Sequence, residues 1–492
     1  MLMPFNLRLQ GPLHIDKALA QSSMFPLDSG VCMPLFRLPS AGPICHAERP
    51  KMPRRELPVE LYDHILDYLW DDQRTLLACS LTCRAWVPTT RLHLFEIVVI
   101  RGPEDCACLH RVLETSAAGS TRVADYVRDI SIIDPDPIDR DAGVQPAEES
   151  TRWLCRWMPK ILPKLKRVEC LRLEHIDWEL LAANEGTKNC ILSFCPGLKS
   201  LHLSSVMFAT SDALLQTIMS FPSLNSLQMA YLVWWGDVSD SSAHLPGQDA
   251  SPENGKTIIR ELKMDSLYDP TVVLNWLLKP PFELQLRKLE WGSSAQPSQR
   301  PILLETLRLS ETTLEDLRLA VWAETCELKR TCASSFPLPR SSLAVLADVN
   351  LARFPRLKYL DVGIQNPLVA RNAWYPAVPE FLAMISSTRL REIKLRFNLF
   401  NTSDAGLDFM DWRRMDEVLV FLHQNLPMLV FGFHFHIQLH PGSVMPNVAC
   451  ALTSRLPAAR AAGLRMKVVA GGMIREGRGQ AIPDKEDWIP MS

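Results

Sequence analysis

From about residue 97 the chain repeats one short theme, apolar-x-x-apolar-x-apolar. It reads Val168-x-x-Leu171-x-Leu173, Leu198-x-x-Leu201-x-Leu203, Leu224-x-x-Leu227-x-Met229 and Ile259-x-x-Leu262-x-Met264. It continues as Leu286-x-x-Leu289-x-Trp291, Leu314-x-x-Leu317-x-Leu319, Leu357-x-x-Leu360-x-Val362 and Leu390-x-x-Ile393-x-Leu395. A weaker copy, Val127-x-x-Ile130-x-Ile132, precedes these, and a degenerate one, Met428-x-x-Phe431-x-Phe433, follows. The alternation inside each copy predicts a strand with one buried face.

The gaps between copies predict helices at Ser211–Phe221, Thr271–Lys279, Ser341–Phe354 and Met410–Leu426, the first capped by Ser211 or Asp212. Pro163, Pro196, Pro222, Pro355 and Pro427 stand just before strand cores, where proline ends a helix and punctuates the turn. Leu304-x-x-Leu307-x-Leu309 also fits the theme, too close to Leu314 for two units; the expectation is a helix over 301–311 and a strand over 314–321. The copies recur on the scale of about 20–45 residues used by strand–helix repeats. Over roughly residues 125–440 the chain resembles the leucine-rich-repeat class, with only Asn398 at the place of that family's asparagine. The resemblance implies an α/β fold: an irregular solenoid of parallel strands with a helical outer layer, each repeat completing its neighbour's core. The alternative is an ordinary α/β domain whose strands begin with leucine.

Residues 56–96 have a different character. Pro58 suits a helix's first turn and Glu60 its positive end. Leu61, Ile65 and Leu69, with Leu66 beside them, form one apolar stripe. Asp71 and Asp72 can stop and recap the chain, and Leu76, Leu77, Ala78, Cys79 and Leu81 make a second short helix. Cys83 and Trp86 fall on a third, expected to end before Pro88. So short a segment buries little by itself and needs the rest of the chain or a partner.

The run Leu57-Pro58-Val59-Glu60-Leu61, the Ile65-Leu66…Leu69 stripe, the acidic turn, Leu76-Leu77 and Cys83-Arg84-Ala85-Trp86 resemble, in order and spacing, an F-box. Thr82 stands where that family has valine. The resemblance implies a three-helix motif that docks a Skp-family adaptor and, through it, a cullin scaffold of a ubiquitin ligase. It implies adaptor contacts by Leu57, Pro58, Leu61, Ile65, Leu66, Leu69, Leu76, Leu77, Cys83 and Trp86. A purely structural helical cap is the alternative. The organisation expected is a leader over 1–50, the F-box-like motif over 56–96, the array over 97–470 and a polar, frayed tail over 471–492, with Trp488-Ile489 a possible exception.

Composition narrows the function classes. The chain has 492 residues, 47% hydrophobic and 22% charged, with a net charge of −2. No global field steers it to nucleic acid or anionic lipid. The N-terminal stretch, broken by Pro4, Pro12 and Arg8, does not read as a signal peptide, and no apolar run is long enough for a membrane span. A cytoplasmic or nuclear protein is expected. Arg49, Lys51, Arg54 and Arg55 form a basic cluster, either an import patch or a solvated approach to the first helix. The acidic 134–150 and polar 236–256 read as surface loops. The 13 cysteines include no C-x-x-C; Cys106-Ala-Cys108 lacks a second pair, so a zinc site is not expected.

No catalytic signature or cofactor motif emerges, and an enzyme is not expected. His434-Phe-His436 could offer two ligands on one strand face, but Phe431, Phe433, Phe435 and Ile437 alternate with them and suggest phenylalanines inward. The polar residues between the leucines face outward on the sheet: Arg172, His202, Gln228, Lys263, Glu290, Arg318, Asp361 and Lys394. Of these, Arg172, His202, Gln228, Lys263, Arg318 and Lys394 are the expected contacts for a protein target, with an acidic or phosphorylated segment favoured and Glu261, Asp265, Asp316 and Glu392 diluting that preference. The function these features support is a non-catalytic substrate-recognition adaptor; a non-ligase interaction scaffold is the alternative.

Overall fold

A computed structural model describes residues 58–117, 122–134, 147–182, 184–194, 196–234, 256–265, 267, 269–292, 299–322, 344–365, 377–400, 407, 410–439, 447–474 and 481–489. Leu57, the leader and most of the two polar insertions lie outside the described residues. The chain divides into two compact units: Met1–Val168 with Asn184–Cys195, and Glu169–Ala183 with Pro196–Ser492.

In the first unit, α1 (Val59–Asp67), α2 (Gln73–Thr82) and α3 (Val87–Phe95) form the helical motif. Asp72 caps α2, accepting from the Thr75 N–H at 3.1 Å and hydroxyl at 2.7 Å. The third helix departs from expectation. Arg84–Trp86 is a single 3-10 turn, and α3 begins at Val87 with Pro88 in its first turn rather than ending there. A backbone N–H at that position would have no intrahelical acceptor, so proline's lack of one costs nothing. Strand β1 (Ile97–Ile100) pairs in parallel with β2 (Asp129–Ile133), and α4 (Pro103–Ala117), α5 (Ala147–Ile161) and the later α7 (Glu185–Ser193) complete the unit.

In the second unit a strand follows almost every copy of the theme. The strands are β3 (Cys170–Glu174), β4 (Ser200–Ser204), β6 (Ser226–Ala230), β8 (Thr257–Asp265) and β9 (Phe282–Trp291). They continue with β10 (Asp316–Trp322), β11 (Tyr359–Gln365), β12 (Glu392–Phe400), β13 (Val430–Leu439) and β14 (Arg465–Ile474). They lie side by side in this order and every pairing is parallel. The large parallel sheet is consistent with a repeat solenoid.

Between strands run α6 (Trp178–Ala182), α8 (Ser211–Met219), α9 (Pro270–Leu277), α10 (Arg300–Leu309), α11 (Ala344–Asp348), α12 (Ala377–Ala383), α13 (Trp412–Asn425), α14 (Val448–Arg455) and α15 (Pro457–Ala461). Thr210, not Ser211 or Asp212, caps α8, because its side chain reaches the Ala213 N–H at 3.2 Å. The helix α10 and strand β10 resolve the Leu304/Leu314 ambiguity as expected. Buried Asp416 on α13 accepts the Ala458 and Ala459 N–H groups at 2.9 and 2.7 Å, satisfying donors that α15 cannot pair internally. Among the described residues no helix is long and apolar enough to cross a membrane.

Leu171, Leu201, Leu227, Leu262, Leu289, Leu317, Leu360 and Ile393 are all buried and stand in register across the sheet. After β3, β4 and β6 the chain turns through His175, Ser205 and Tyr231, each at positive φ of 58°, 52° and 52°. Their N–H groups donate to Ser204, Ala230 and Asp265, so the ladder continues through the bend and offsets the left-handed cost. The turn leads to a small parallel pair, β5 (Met207–Phe208) and β7 (Val233–Trp234).

Two expectations at the end of the array are corrected. Met428 is exposed and Leu429 fills the buried place, so only the first position of the degenerate copy is offset by one residue, while Phe431 and Phe433 are buried in register as expected. The expected frayed tail instead supplies the end of β14 and a further strand, β15 (Ala481–Ile489), antiparallel to β14. An unpaired strand edge carries a row of open donors and acceptors, and a connection this short returns the chain antiparallel.

Leu201→Ala and Leu262→Ala should each lower unfolding free energy by roughly 2–5 kcal/mol, the cost of removing buried methyl groups and leaving a cavity. Urea denaturation followed by far-UV circular dichroism measures it.

Candidate functional site

The helical motif turns two faces in opposite senses. Inward, Leu66 and Leu76 are 2% and 0% exposed and cluster with Leu94; Leu69, Leu77, Cys79, Trp86 and Phe95 pack against them. The clamp is polar at its margins: Thr89 donates to Asp63 at 2.6 Å, and the His93 ring lies 2.8 Å from Asp67, tying α3 to α1. Tyr62 and Trp86 rings approach at 5.6 Å. Thr75 holds the Asp72 carboxyl below its ordinary pKa, first through its hydroxyl and then through its backbone N–H.

Outward, Leu61 and Ile65 are 48% and 54% exposed, one helical turn apart on α1. Tyr68 at 78% and Leu81 at 85% are barer still, and Trp70 is also exposed. Leu66 and Leu76 are therefore interior residues of the motif. Their places are internal because the motif must spend its best-shielded leucines on its own small core. Leu69, Leu77, Cys83 and Trp86 are half-buried and Pro58 is exposed. Tyr68, Trp70 and Leu81 were missed; Tyr68 lies three residues beyond Ile65, a helical spacing that could have flagged it.

On the sheet of the second unit, the outward central residues form one continuous row. Arg172 faces His202, then Gln228, Lys263, Glu290, Arg318, Asp361 and Lys394, each directly opposite the next. This brings together the expected target contacts, but their basic character is largely cancelled. Lys263 pairs with Glu290 at 2.8 Å, and Arg318 reaches Asp316 at 3.2 Å and Glu290 at 3.7 Å. Lys394 meets Glu392 at 3.2 Å, while Arg396, one position further along, meets Asp361 at 2.7 Å. Gln228, Lys263, Glu290, Arg318, Glu261 and Lys288 line a shallow concavity of this face.

His202 sits 2.9 Å from the Ser200 hydroxyl and 4.0 Å from the Cys170 sulfur. Burial first, then the charges of Arg172 and Lys263, push its pKa down to about 4, so the ring is neutral at physiological pH. On β13, Phe431, Phe433 and Phe435 point inward and are fully buried, Phe435 stacking on Phe397 at 5.3 Å, while His436 is exposed. Among the described residues no group of three His, Cys, Asp or Glu side chains is placed to hold a metal ion.

Comparison with known proteins adds one local match. Residues 55–87 match the F-box-like family model, which covers α1, α2 and the Cys83–Trp86 turn. No curated protein matches the chain. Among solved structures, the crystal structure of the Rad7 and Elc1 complex in yeast is similar at 11% identity and a TM-score of 0.34, covering 80% of this chain and 87% of that chain.

The His202 shift has a sign. Its folded pKa lies below the value of about 6.5 for an unfolded histidine, so the unfolded state binds the proton more readily. The stability it supports is complete above the unfolded pKa and is lost as pH falls towards about 4. His202→Gln should flatten the fall in stability between those two values, read as denaturation midpoints of both proteins across the window.

Proposed function

We propose that this chain is an F-box-type substrate-recognition adaptor. The helical motif docks a Skp-family adaptor and so joins a cullin scaffold, and the repeat sheet captures a protein target. The observation that carries the reading is the outward apolar face of Leu61, Ile65 and Tyr68, on the residues matched by the F-box-like model. Large apolar side chains exposed together mark a surface that water does not serve well and a partner does. The contacts proposed also include half-buried Leu69, Leu77, Cys83 and Trp86 and exposed Pro58, Trp70 and Leu81.

Such an adaptor works by proximity. Holding target and ligase on one chain raises the effective concentration of the acceptor lysine near the transferring subunit. No residue of this chain then needs to perform chemistry, and no cofactor is required. The domain division proposed is a leader over 1–50, the F-box-like motif over 56–96 and the array from 97, extended to Ile489 by β15. The setting proposed is the cytoplasm or nucleus. The target is a protein engaged through residues of several successive strands, among them Arg172, His202, Gln228, Lys263, Arg318 and Lys394.

Leu61→Asp combined with Ile65→Asp should abolish co-purification with a Skp-family adaptor, because each buried unpaired charge costs several kcal/mol. Both side chains are exposed in the free chain, so folding is unchanged. Adaptor recovery equal to that of the parent protein would remove the assignment.

A further inference from the structure

Among the described residues of the second unit, positive charge without a carboxylate partner gathers at the rim of the sheet, where the chain turns into each strand. Each strand there is preceded by one residue that donates its N–H to its counterpart on the previous strand. Glu315 donates to Arg287 at 2.8 Å, Lys358 to Glu315 at 2.7 Å and Arg391 to Lys358 at 2.8 Å. Arg287, Glu315, Lys358 and Arg391 are thus four rungs of one ladder, spaced about 4.8 Å apart. Two residues upstream of the last two rungs stand Arg356 and Arg389.

The charge here does not cancel. Lys358 takes the Glu315 carboxylate at 2.6 Å, and Arg353 takes Glu311 at 2.9 Å. Glu283, lower on β9, is held by Lys256 at 3.4 Å. Arg287, Arg356, Arg389 and Arg391 are exposed, and none has a carboxylate within ion-pair distance among the described residues. The Glu315 carboxyl is held below its ordinary pKa by the Lys358 hydrogen bond first, with Arg287 and Arg356 contributing through space. One carboxylate therefore sits at the centre of a cationic surround, with unpaired guanidinium groups on either side.

We propose that this rim binds an extended acidic polypeptide segment with anionic groups at two points about four residues apart and three neutral residues between them. The spacing follows from the ladder. First to fourth rung is about 14 Å, and an extended chain covers about 3.3 Å per residue. One anionic group lies against Arg287, the other against Arg389 and Arg391, and the neutral stretch passes over Glu315 and Lys358, with Arg356 adding positive charge beside them. A guanidinium fork grips carboxylate or phosphate through paired hydrogen bonds, so aspartate, glutamate and phosphoserine share the required chemistry. A nucleic-acid strand fits less well. Its charge is continuous and would meet Glu315 head on, and a net charge of −2 supplies no wider attraction. The inference rests on the reading that the array captures a polypeptide, and it is independent of the helical motif.

The test uses the full chain and fluorescence anisotropy with labelled peptides. One peptide carries Asp-Glu pairs flanking Gly-Ser-Gly; a second replaces each pair with phosphoserine; a third is the Asn-Gln counterpart; a single-stranded oligonucleotide of equal charge is the fourth probe. The expected result is binding of the first two and not the third, with the ranking of the two showing whether carboxylate or phosphate is the better ligand. Arg356→Glu with Arg391→Glu should weaken that binding by about tenfold or more. Arg413→Glu with Arg460→Glu, on helices α13 and α15, should leave it unchanged. Circular dichroism confirms that both variants are folded, and Arg356→Lys with Arg391→Lys should fall between parent and reversal because charge remains while the fork is lost. Absence of peptide binding by the parent chain, binding undiminished by rim reversal, an equal loss in the helix variant, or tighter binding of the oligonucleotide each overturn the proposal. Peptide binding undiminished by rim reversal would move the target back to the central row and leave target capture standing. Adaptor co-purification, scored on the same variants, reports separately on the helical motif.

Discussion

A strand in a parallel sheet depends on neighbours at both edges and on a covering layer for its apolar face. The leucine frame meets that demand by repetition: each strand presents Leu201, Leu227, Leu262 or its equivalent at the same height, directly opposite the next. The core is a row rather than a cluster. Everything on the outward face inherits its position from this register, since a shift of one residue would exchange inside for outside. The row from Arg172 to Lys394 and the rim ladder from Arg287 to Arg391 are both consequences of how the leucines are stacked.

Register also explains what was legible in the sequence and what was not. The strands could be read because an apolar-x-x-apolar-x-apolar theme names the buried positions whatever the neighbours are. The row of outward residues followed at once, since alternation fixes their direction. Their electrostatics did not, because Lys263 meets Glu290 and Arg396 meets Asp361 only once strands from distant parts of the chain are aligned. A tally of charges at one position saw a basic bias; the alignment turned it into a set of pairs. The offset at Met428 and Leu429 is similar in kind, since both residues suit the theme and only packing selects Leu429.

The helical motif shows a different limit. Its apolar residues were identified, but periodicity cannot say which side of a short helix faces a core and which faces a partner. Leu66 and Leu61 lie on the same helix, one enclosed by Leu76 and Leu94, the other open to water. The short helices cannot enclose every leucine, so exposure is a geometric remainder, and the remainder is the surface proposed for docking. Pro88 illustrates the same point locally: a proline ends a helix or starts one, depending on which residues its neighbours bond to.

The closing strand β15 sets a direction on how such a chain can lengthen. Repeat arrays expand when a unit is duplicated and the copy stacks on its parent with the same strand polarity. After β14 the polarity reverses, so a copied strand–helix unit placed beyond Ile489 would meet an edge of the opposite sense. New units are accommodated upstream of β14, where parallel edges meet on both sides. A further strand of the common polarity would pair in parallel anywhere from β3 to β14, but antiparallel at the free edge of β15.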